Sequence, residues 1–353
     1  MIMKKLRAAL LLSAVLTLLL PVSGCGGNNE TAAGKGVKIH PDAPGLSEYD
    51  VILMGENHIS AQIFDIELSM MQYYYSLGVR DFAFECSFGE ALFLKYYYDT
   101  GDEQCYEYLN RYSASENITQ FSHEKAAFHK KIHLWNSGLE EKIQVHGFDI
   151  EHDPYGTGIA ATWFFILNKY GQTEGMPLFS TNGIWPRAGN WYRFIEDFRT
   201  NPGRYAHISI EDIELIKKIV ANIEQGLIAN NWNYNVSDSE NRMESAILRE
   251  HFMTENFRET VKSLQGRKLF AILGYMHTDL TGKAAHMKNE SQFPWITTSE
   301  PCLANVLKDE IRIASVVMRS FGNTSKWPYF IRINGWELAK PRSSAYRGKW
   351  PYE

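Results

Sequence analysis

Cysteine is scarce in this chain, with four residues in a total of 353. Their spacing matches no zinc-binding motif. If Cys25 is modified as argued below, the remaining Cys86, Cys105 and Cys302 are odd in number, so at least one thiol stays unpaired within a monomer. One disulfide is compatible with this count, and the sequence does not select its pair. Cys86 is expected to be a small buried residue.

The chain also lacks long apolar runs, basic tracts and internal repeats. After residue 25 no segment has eighteen consecutive apolar residues, so the sequence predicts no transmembrane helix there. The formal net charge is -5 and no basic run follows the N-terminus, which argues against a nucleic-acid partner. The composition, 44% hydrophobic and 22% charged, is typical of a globular chain that buries a sizeable core.

The first 25 residues have the pattern of a targeting segment. Positive charges at residues 4–7 precede an apolar stretch over residues 8–20, which is too short to span a bilayer comfortably. The sequence Val-Ser-Gly-Cys25 then resembles the bacterial lipobox, in which Cys25 would be lipidated. We predict a lipoprotein signal peptide over residues 1–25 and a flexible tether over residues 26–47. The protein would then be extracytoplasmic and held on a bacterial cell membrane by lipid alone. The alternative is an ordinary secretory signal that ends near a cysteine.

Short apolar runs alternate with helical patterns along residues 48–353. The runs that predict buried strands cover residues 51–54, 80–84, 142–148, 267–273, 311–318 and 329–333. The first two flank a helical pattern, and a β-α-β unit of this kind implies parallel strands with a right-handed crossover. We predict a single α/β domain with a mostly parallel central sheet flanked by helices. Glycine and proline interrupt the helical patterns over about residues 154–241, which we interpret as a helical insertion near the site.

Polar side chains follow four of the predicted strands. They are Glu56 with His58, then Glu85, Asp149 and His277. Because the carboxyl ends of parallel strands lie at one edge of a sheet, we expect these side chains to meet in a single cleft. Taken singly, each of them could instead be a buried polar group whose hydrogen bonds are satisfied.

An imidazole and a carboxylate close together can activate a water molecule. The carboxylate holds the imidazole in one tautomer, and the imidazole acts as general base. A second histidine could polarise a carbonyl or protonate a leaving group. Alternatively, Glu56, His58, Glu85 and His277 are a plausible ligand set for a divalent metal with a bound water. The chain has no serine in a G-x-S-x-G elbow, so direct attack by water is favoured over an acyl-enzyme.

A strong helical pattern covers residues 240–264 and contains a further candidate site residue, the cation Arg249. Arg249, Met253 and Asn256 have i, i+4, i+7 spacing and share one face. Arg249, together with Asn256, could bind the substrate by clamping a carboxylate or stabilising an oxyanion. The alternative is an ordinary ion pair between Arg249 and Glu250 or Glu255.

Two further patterns admit a structural interpretation. The aromatic stripe that includes Tyr96 and Tyr97 could line an apolar ligand pocket, but core packing is favoured. His123, His129 and His133 could bind a metal, but lysines lie between the last two and no H-E-x-x-H motif is present. A solvated basic face is therefore favoured for them.

Four short motifs occur in a characteristic order across roughly residues 48–280. They are Gly55-Glu56-Asn57-His58, Phe84-Glu85, Arg249-Glu250-x-x-Met253-x-x-Asn256 and Gly274-x-x-His277. The ordered set resembles the superfamily that joins erythromycin esterases, bacterial haem-uptake lipoproteins of the ChaN type and Tiki-type metalloproteases.

This resemblance implies an active centre made by Glu56, His58, Glu85 and His277, with Arg249 contributing from its helix. In the esterase branch water would attack an ester carbonyl of a small-molecule or peptide substrate, and His58 is our choice of general base. The short forms Gly-Glu-x-His and Gly-x-x-His look more like the haem-uptake branch. The alternative is therefore a non-enzymatic lipoprotein that binds haem or a metal in the same cleft.

Overall fold

The computed structural model describes the chain in separate ranges. These are residues 48–56, 63–103, 105, 122–151, 157–167, 170, 188–230, 239–280, 301–320, 329–333 and 336–337. The predicted signal peptide and tether lie outside them, so the domain boundaries stay predictions. Among the helices in these ranges, none is both long and apolar enough to cross a membrane.

The described strands form one sheet in the order β3-β2-β4-β1-β5-β6-β7. Their bounds are β1 Val51–Glu56, β2 Asp81–Ser87, β3 Gln144–Asp149, β4 Leu269–Gly274, β5 Ile313–Ser320, β6 Tyr329–Ile333 and β7 Trp336–Glu337. The first five strands in the sheet order are parallel, and β6 and β7 continue the sheet antiparallel. The predicted mostly parallel sheet is confirmed.

Helices connect the strands and cover the sheet. Their bounds are α1 Ile63–Ser76, α2 Phe88–Thr100, α3 Ser122–Ser137, α4 Thr157–Ala161, α5 Ala188–Thr200, α6 Ile210–Asn230, α7 Ser239–Ser263 and α8 Leu303–Leu307. A π-helical segment, Thr162–Leu167, continues α4, and single 3-10 turns occupy Pro202–Tyr205 and Tyr275–Thr278.

Alternate residues of the central strands enter two apolar layers. Ile52 and Met54 of β1 pack with α1, α2 and α3, whereas Val51 and Leu53 pack with α7 and α8. Helices therefore lie on both faces, as predicted. Full burial of one such side chain stabilises the fold by about 1.5–3 kcal/mol, which explains why short apolar runs suffice to define the strands.

The predicted insertion is represented by α4, α5 and α6. The π-helical segment after α4, together with α5 and α6, encloses a separate apolar cluster in which Phe194 and Ile216 are fully buried. Phe88 and Leu92 of α2 pack against this cluster. The insertion is therefore built onto the helix that directly follows β2.

The strands extend further than their apolar cores predict. β1 runs through Glu56, which is in register with Gly274 of β4. β2 runs through Glu85 to Ser87, and its pairing with β3 is irregular between Phe84 and Ser87. The polar groups expected just past the strand ends therefore belong partly to the last rung of the sheet.

Among the described residues, the aromatic stripe is core, as favoured. Tyr97 is buried, and Tyr96 packs edge-on against two phenylalanines of the π-helical segment. The solvated face proposed for the three histidines is wrong at His129. That side chain is buried against the Tyr98 hydroxyl at 2.6 Å, and burial followed by the charge of Lys125 lowers its pKa to about 3. His123 is exposed.

The described cysteines are all thiols. Cys86, Cys105 and Cys302 form no disulfide, so the bond that the sequence allowed is not present among them. Cys86 is buried, and burial raises its pKa well above its usual value. A neutral buried thiol is a poor nucleophile, which agrees with its predicted structural role.

Candidate active site

Glu85 reaches across the carboxyl edge of the sheet. It lies within the part of β2 where the pairing with β3 shifts register, between Phe84 and Ser87. Its Oε2 accepts a hydrogen bond from the backbone N–H of Gly274, the last residue of β4, at 2.5 Å. Two neighbouring strand ends are thus joined by one carboxylate.

Arg249 of α7 joins Glu85 to Asp149 at the end of β3. Its Nη2 lies 2.5 Å from Glu85 Oε1 and 2.6 Å from Asp149 Oδ2, and its Nε donates to Asp149 Oδ1 at 3.1 Å. The alternative pairing of Arg249 with Glu250 or Glu255 is wrong. The two carboxylates outweigh the effect of burial and keep the pKa of Arg249 raised, so the guanidinium is a fixed cation.

His277 lies between two carboxylates. It follows β4 in a single 3-10 turn, and its Nδ1 is 2.5 Å from Glu250 Oε2. Its Nε2 is 3.5 Å from Glu85 Oε1. Burial alone would lower the pKa of His277, but Glu250 and Glu85 raise it well above its usual value. The imidazole is therefore an imidazolium, with an N–H directed at each acid.

The two acids that face His277 are ionised. Burial acts to raise the pKa of Glu85, but His277, Arg249 and the Gly274 N–H hold it well below its usual value. The pKa of Glu250 is also lowered, by His277 and by the backbone N–H of Leu303, which lies 2.6 Å from Oε1. The cluster thus contains three acids, Glu85, Asp149 and Glu250, and two cations.

Glu56 lies beside a buried acid on α1. Glu67 is 2% exposed, and its Oε1 has no hydrogen-bond partner within the described residues. Burial, then the charge of Glu56 and a hydrogen bond with it, raise the pKa of Glu67 well above its usual value. Glu67 is therefore protonated at neutral pH and can donate to Glu56.

The structure brings most of the predicted site residues together. Glu85, Asp149, Arg249 and His277 are in direct contact, and Glu56 ends the strand next to β4. His58 lies outside the described residues, as do the lipidation site Cys25 and the aromatic residues Tyr106 and Tyr108. Asn256 does not reach this cluster: its amide pairs with Gln225 of α6.

Two of the donors proposed for a divalent metal, Glu85 and His277, already have other partners among the described residues. Glu85 already accepts from a backbone N–H and a guanidinium, and both nitrogens of His277 face acids. Within the described ranges no three His, Cys, Asp or Glu side chains form a group that could hold a metal ion. A haem site gains no support either, because both ring nitrogens of His277 face carboxylates and Tyr97 is buried in the core.

Two residues of the candidate site, Glu250 in the charged cluster and Glu67 beside Glu56, were missed in the sequence. Glu250 follows Arg249 directly and was considered only as an ion-pair neighbour, because nothing local indicates that it contacts a residue 27 positions away. Glu67 did carry a signal: it is an acid within the apolar stripe Ile63, Ile66, Met70 of α1. A charged residue at such a position is rarely buried without a special partner.

Comparisons with known proteins show weak similarity. No protein-family model and no curated protein matches the chain. It is similar to a structural-genomics protein from Bacillus cereus, with 14% identity and a TM-score of 0.48 over 84% of this chain and 72% of that one. It is also similar to a succinoglycan biosynthesis protein, with 16% identity and a TM-score of 0.47 over 79% of this chain and 71% of that one. A third similar structure is a mutant of the erythromycin esterase EreC in its open conformation. The identity is 11% and the TM-score 0.42, over 81% of this chain and 76% of that one. Similarity at this level assigns no activity.

Proposed function

We propose that this chain hydrolyses ester or amide bonds at the carboxyl edge of its sheet by direct attack of water. The observation that carries the proposal is the imidazolium of His277, held between Glu85 and Glu250 beside the guanidinium of Arg249. Two cations aligned along one edge of a cleft can stabilise negative charge that develops on a carbonyl oxygen.

In the proposed reaction His58 is the general base. It removes a proton from water, and the resulting hydroxide oxygen attacks the carbonyl carbon. Collapse of the tetrahedral adduct then breaks the C–O or C–N bond, and the leaving alkoxide or amine takes a proton from His277. Glu85 already accepts hydrogen bonds from Gly274 and Arg249, so we assign the orientation of His58 to Glu56, two residues before it. Glu67, as the neutral partner of Glu56, keeps that carboxylate in place.

His277 and Arg249 act on the substrate side. The Nδ1 contact with Glu250 is tight, whereas the 3.5 Å between Nε2 and Glu85 exceeds a hydrogen bond, so the Nε2 proton is the one offered to a substrate oxygen or leaving group. Arg249 has Nη1 without a hydrogen bond in the described part of the chain, and its side chain is 27% exposed. Solvent exchange then returns the proton from His58 to His277.

The test is a screen of the full chain against p-nitrophenyl esters and p-nitroanilides, with and without a chelator. His277→Gln and His58→Ala should each lower kcat/KM by about 100-fold or more, as expected for the loss of an acid or a base. The matched control is His123→Gln, since that histidine is exposed on α3. It should stay within twofold of the wild type.

Two outcomes would contradict the proposal. One is wild-type turnover in a folded His58→Ala or His277→Gln variant. The other is a wild-type chain that cleaves none of the esters or anilides. Loss of activity with chelator would instead point to a metal that the described donors do not provide.

The site of action proposed for the enzyme is the extracytoplasmic face of the cell membrane. Support comes from the lipobox-like sequence that ends at Cys25 and the polar stretch after it. Cys25→Ala should release the protein from the membrane fraction, whereas retention in that fraction would contradict lipid anchoring.

A further inference from the structure

We propose that Asn222, Gln225 and Asn256, here named the amide cluster, position Arg249 against Glu85 and Asp149. These three residues join α6 of the insertion to the strand ends and to α7. Any effect of this positioning on catalysis rests on the proposed hydrolase function. The placement of Arg249 by the amide cluster does not depend on that function.

Asn222 ties α6 to two strand exits. Its Nδ2 donates to the backbone oxygen of Asp149 at 2.7 Å, and its Oδ1 accepts from the N–H of Phe88, directly after β2, at 3.1 Å. Its own backbone oxygen accepts from the N–H of Glu151. Asn222 is 6% exposed, so these bonds form away from water, where leaving them unmade would be costly. They fix the separation of the strand ends that carry Glu85 and Asp149.

Gln225 ties α6 to α7. Its Nε2 donates to Asn256 Oδ1 at 3.0 Å, and Asn256 Nδ2 donates back to Gln225 Oε1 at 2.8 Å. Asn222 Nδ2 reaches the same Oε1 at 3.3 Å. The three amides thus form a connected chain of hydrogen bonds from α7 to the ends of β2 and β3.

The two hydrogen bonds between the amides of Gln225 and Asn256 set the rotation and axial position of α7. Asn256 and Arg249 lie seven residues, or about two helical turns, apart on one face of this helix. Between them the helix contacts the sheet through Met253 and, next to Asn256, Phe257, which packs edge-on against Phe148 at 5.0 Å. Apolar contacts tolerate small rotations and shifts, whereas a two-bond amide pair does not. The amide pair therefore determines where the guanidinium of Arg249 lies.

The experiment measures hydrogen exchange at Arg249 Nε–H, the group that donates to Asp149. The full chain is labelled with 15N-arginine, and the signal is assigned by its loss in Arg249→Lys. Asn256→Leu, which keeps the shape and removes the amide, should raise the exchange rate at least tenfold. Gln225→Ala is the second variant, because its partly exposed site tolerates truncation. The double variant should exchange within twofold of the faster single one, since both changes break one unit.

The matched control is Asn136→Leu. Asn136 is a buried amide on α3, and it binds the backbone of Tyr98 and Ile143, away from Arg249. This variant should lower the global stability while leaving the Arg249 exchange rate within twofold of the wild type. Equal acceleration in the control and cluster variants, or unchanged exchange in both Asn256→Leu and Gln225→Ala, would overturn the positioning role. These readouts do not depend on hydrolysis, so an inactive wild-type chain would end the proposed function alone.

Discussion

At the scale of single residues, the candidate site is defined by which groups hold protons. His277 carries two and is a cation, because Glu250 and Glu85 outweigh the cost of its burial. Glu67 carries one and is neutral, because burial and Glu56 oppose its ionisation. His277 can therefore supply a proton in the proposed hydrolysis, whereas Glu67 serves as the neutral hydrogen-bond partner of Glu56.

Glu250→Gln should reduce hydrolysis and move its pH dependence. Removal of the carboxylate at Nδ1 lowers the pKa of His277, so the imidazolium is lost at a lower pH. The alkaline limb of kcat/KM should therefore shift towards acid, with activity at neutral pH reduced by about tenfold to 100-fold. Glu259→Gln is the control, because this acid is on the same helix, fully exposed and paired with Lys262. An unshifted alkaline limb in Glu250→Gln would exclude His277 as the proton donor.

Glu67→Gln should stabilise the protein, and the gain should grow with pH. Above the usual pKa of 4.5 the unfolded chain releases the Glu67 proton while the folded chain keeps it. The free energy of unfolding of the wild type then falls by about 1.4 kcal/mol per pH unit until the raised pKa is reached. Glutamine does not titrate, so the difference between variant and wild type should be small at pH 4 and increase towards pH 7. Urea unfolding at several pH values checks this, and a constant difference would show that Glu67 is ionised in the folded state.

The sequence predicted some of these residues and not others. Glu85, Asp149 and His277 could be found because each ends an apolar run, and parallel strands bring such ends together. Glu250 could not, because its contact with His277 depends on how α7 is rotated over the sheet. The partners of Arg249 were missed for the same reason.

At the scale of helices and strands, the insertion is attached to the site by a close backbone contact. An added Cβ at Gly226 of α6 would lie 1.9 Å from the backbone oxygen of Glu151, just past β3. Only glycine allows the two backbones to approach this closely. The helix is thereby held near enough for Asn222 to reach Asp149.

Gly226→Ala should push α6 away from the end of β3. Because the clash is with backbone rather than with a flexible side chain, we expect a loss of about 1–3 kcal/mol in the free energy of unfolding. Gly203→Ala is the control, since its Cβ would meet nothing within 4 Å. Urea denaturation of both variants measures the effect, and equal stability in the two would contradict the close packing of α6 on β3.

The strands were easier to predict than their ends or the helical layer. Runs such as Val51–Met54 are apolar on both sides because helices cover both faces. The register shift of β2 around Glu85 and the burial of His129 left no pattern in the sequence. Both depend on contacts with residues far along the chain, Gly274 and Tyr98.

At the scale of the whole molecule, the site links separate parts of the fold by charge. Glu85 comes from β2, Asp149 from β3, Arg249 and Glu250 from α7, and His277 from the turn after β4. Removing any one of these charged side chains leaves an oppositely charged, buried partner without compensation. The network should therefore make stability depend on pH.

Acid should destabilise the protein through Glu85 and Glu250. Their folded pKa values lie below the usual 4.5, so their stabilisation is complete above that pH and is lost as pH falls through the folded values. Each contributes a slope of up to about 1.4 kcal/mol per pH unit to the free energy of unfolding. Glu250→Gln should reduce the measured slope below pH 4.5, by at most the slope of one proton. An unchanged slope would mean that Glu250 does not stabilise the fold as an anion.

The most direct measurement is an NMR titration of the His277 imidazole in the full chain, with the signal assigned by its loss in His277→Gln. Clamping between Glu85 and Glu250 predicts that both ring nitrogens remain protonated through pH 7 and that deprotonation comes only at clearly higher pH. A His277 ring that is already neutral at pH 7 would contradict the cationic site on which the proposed hydrolysis depends.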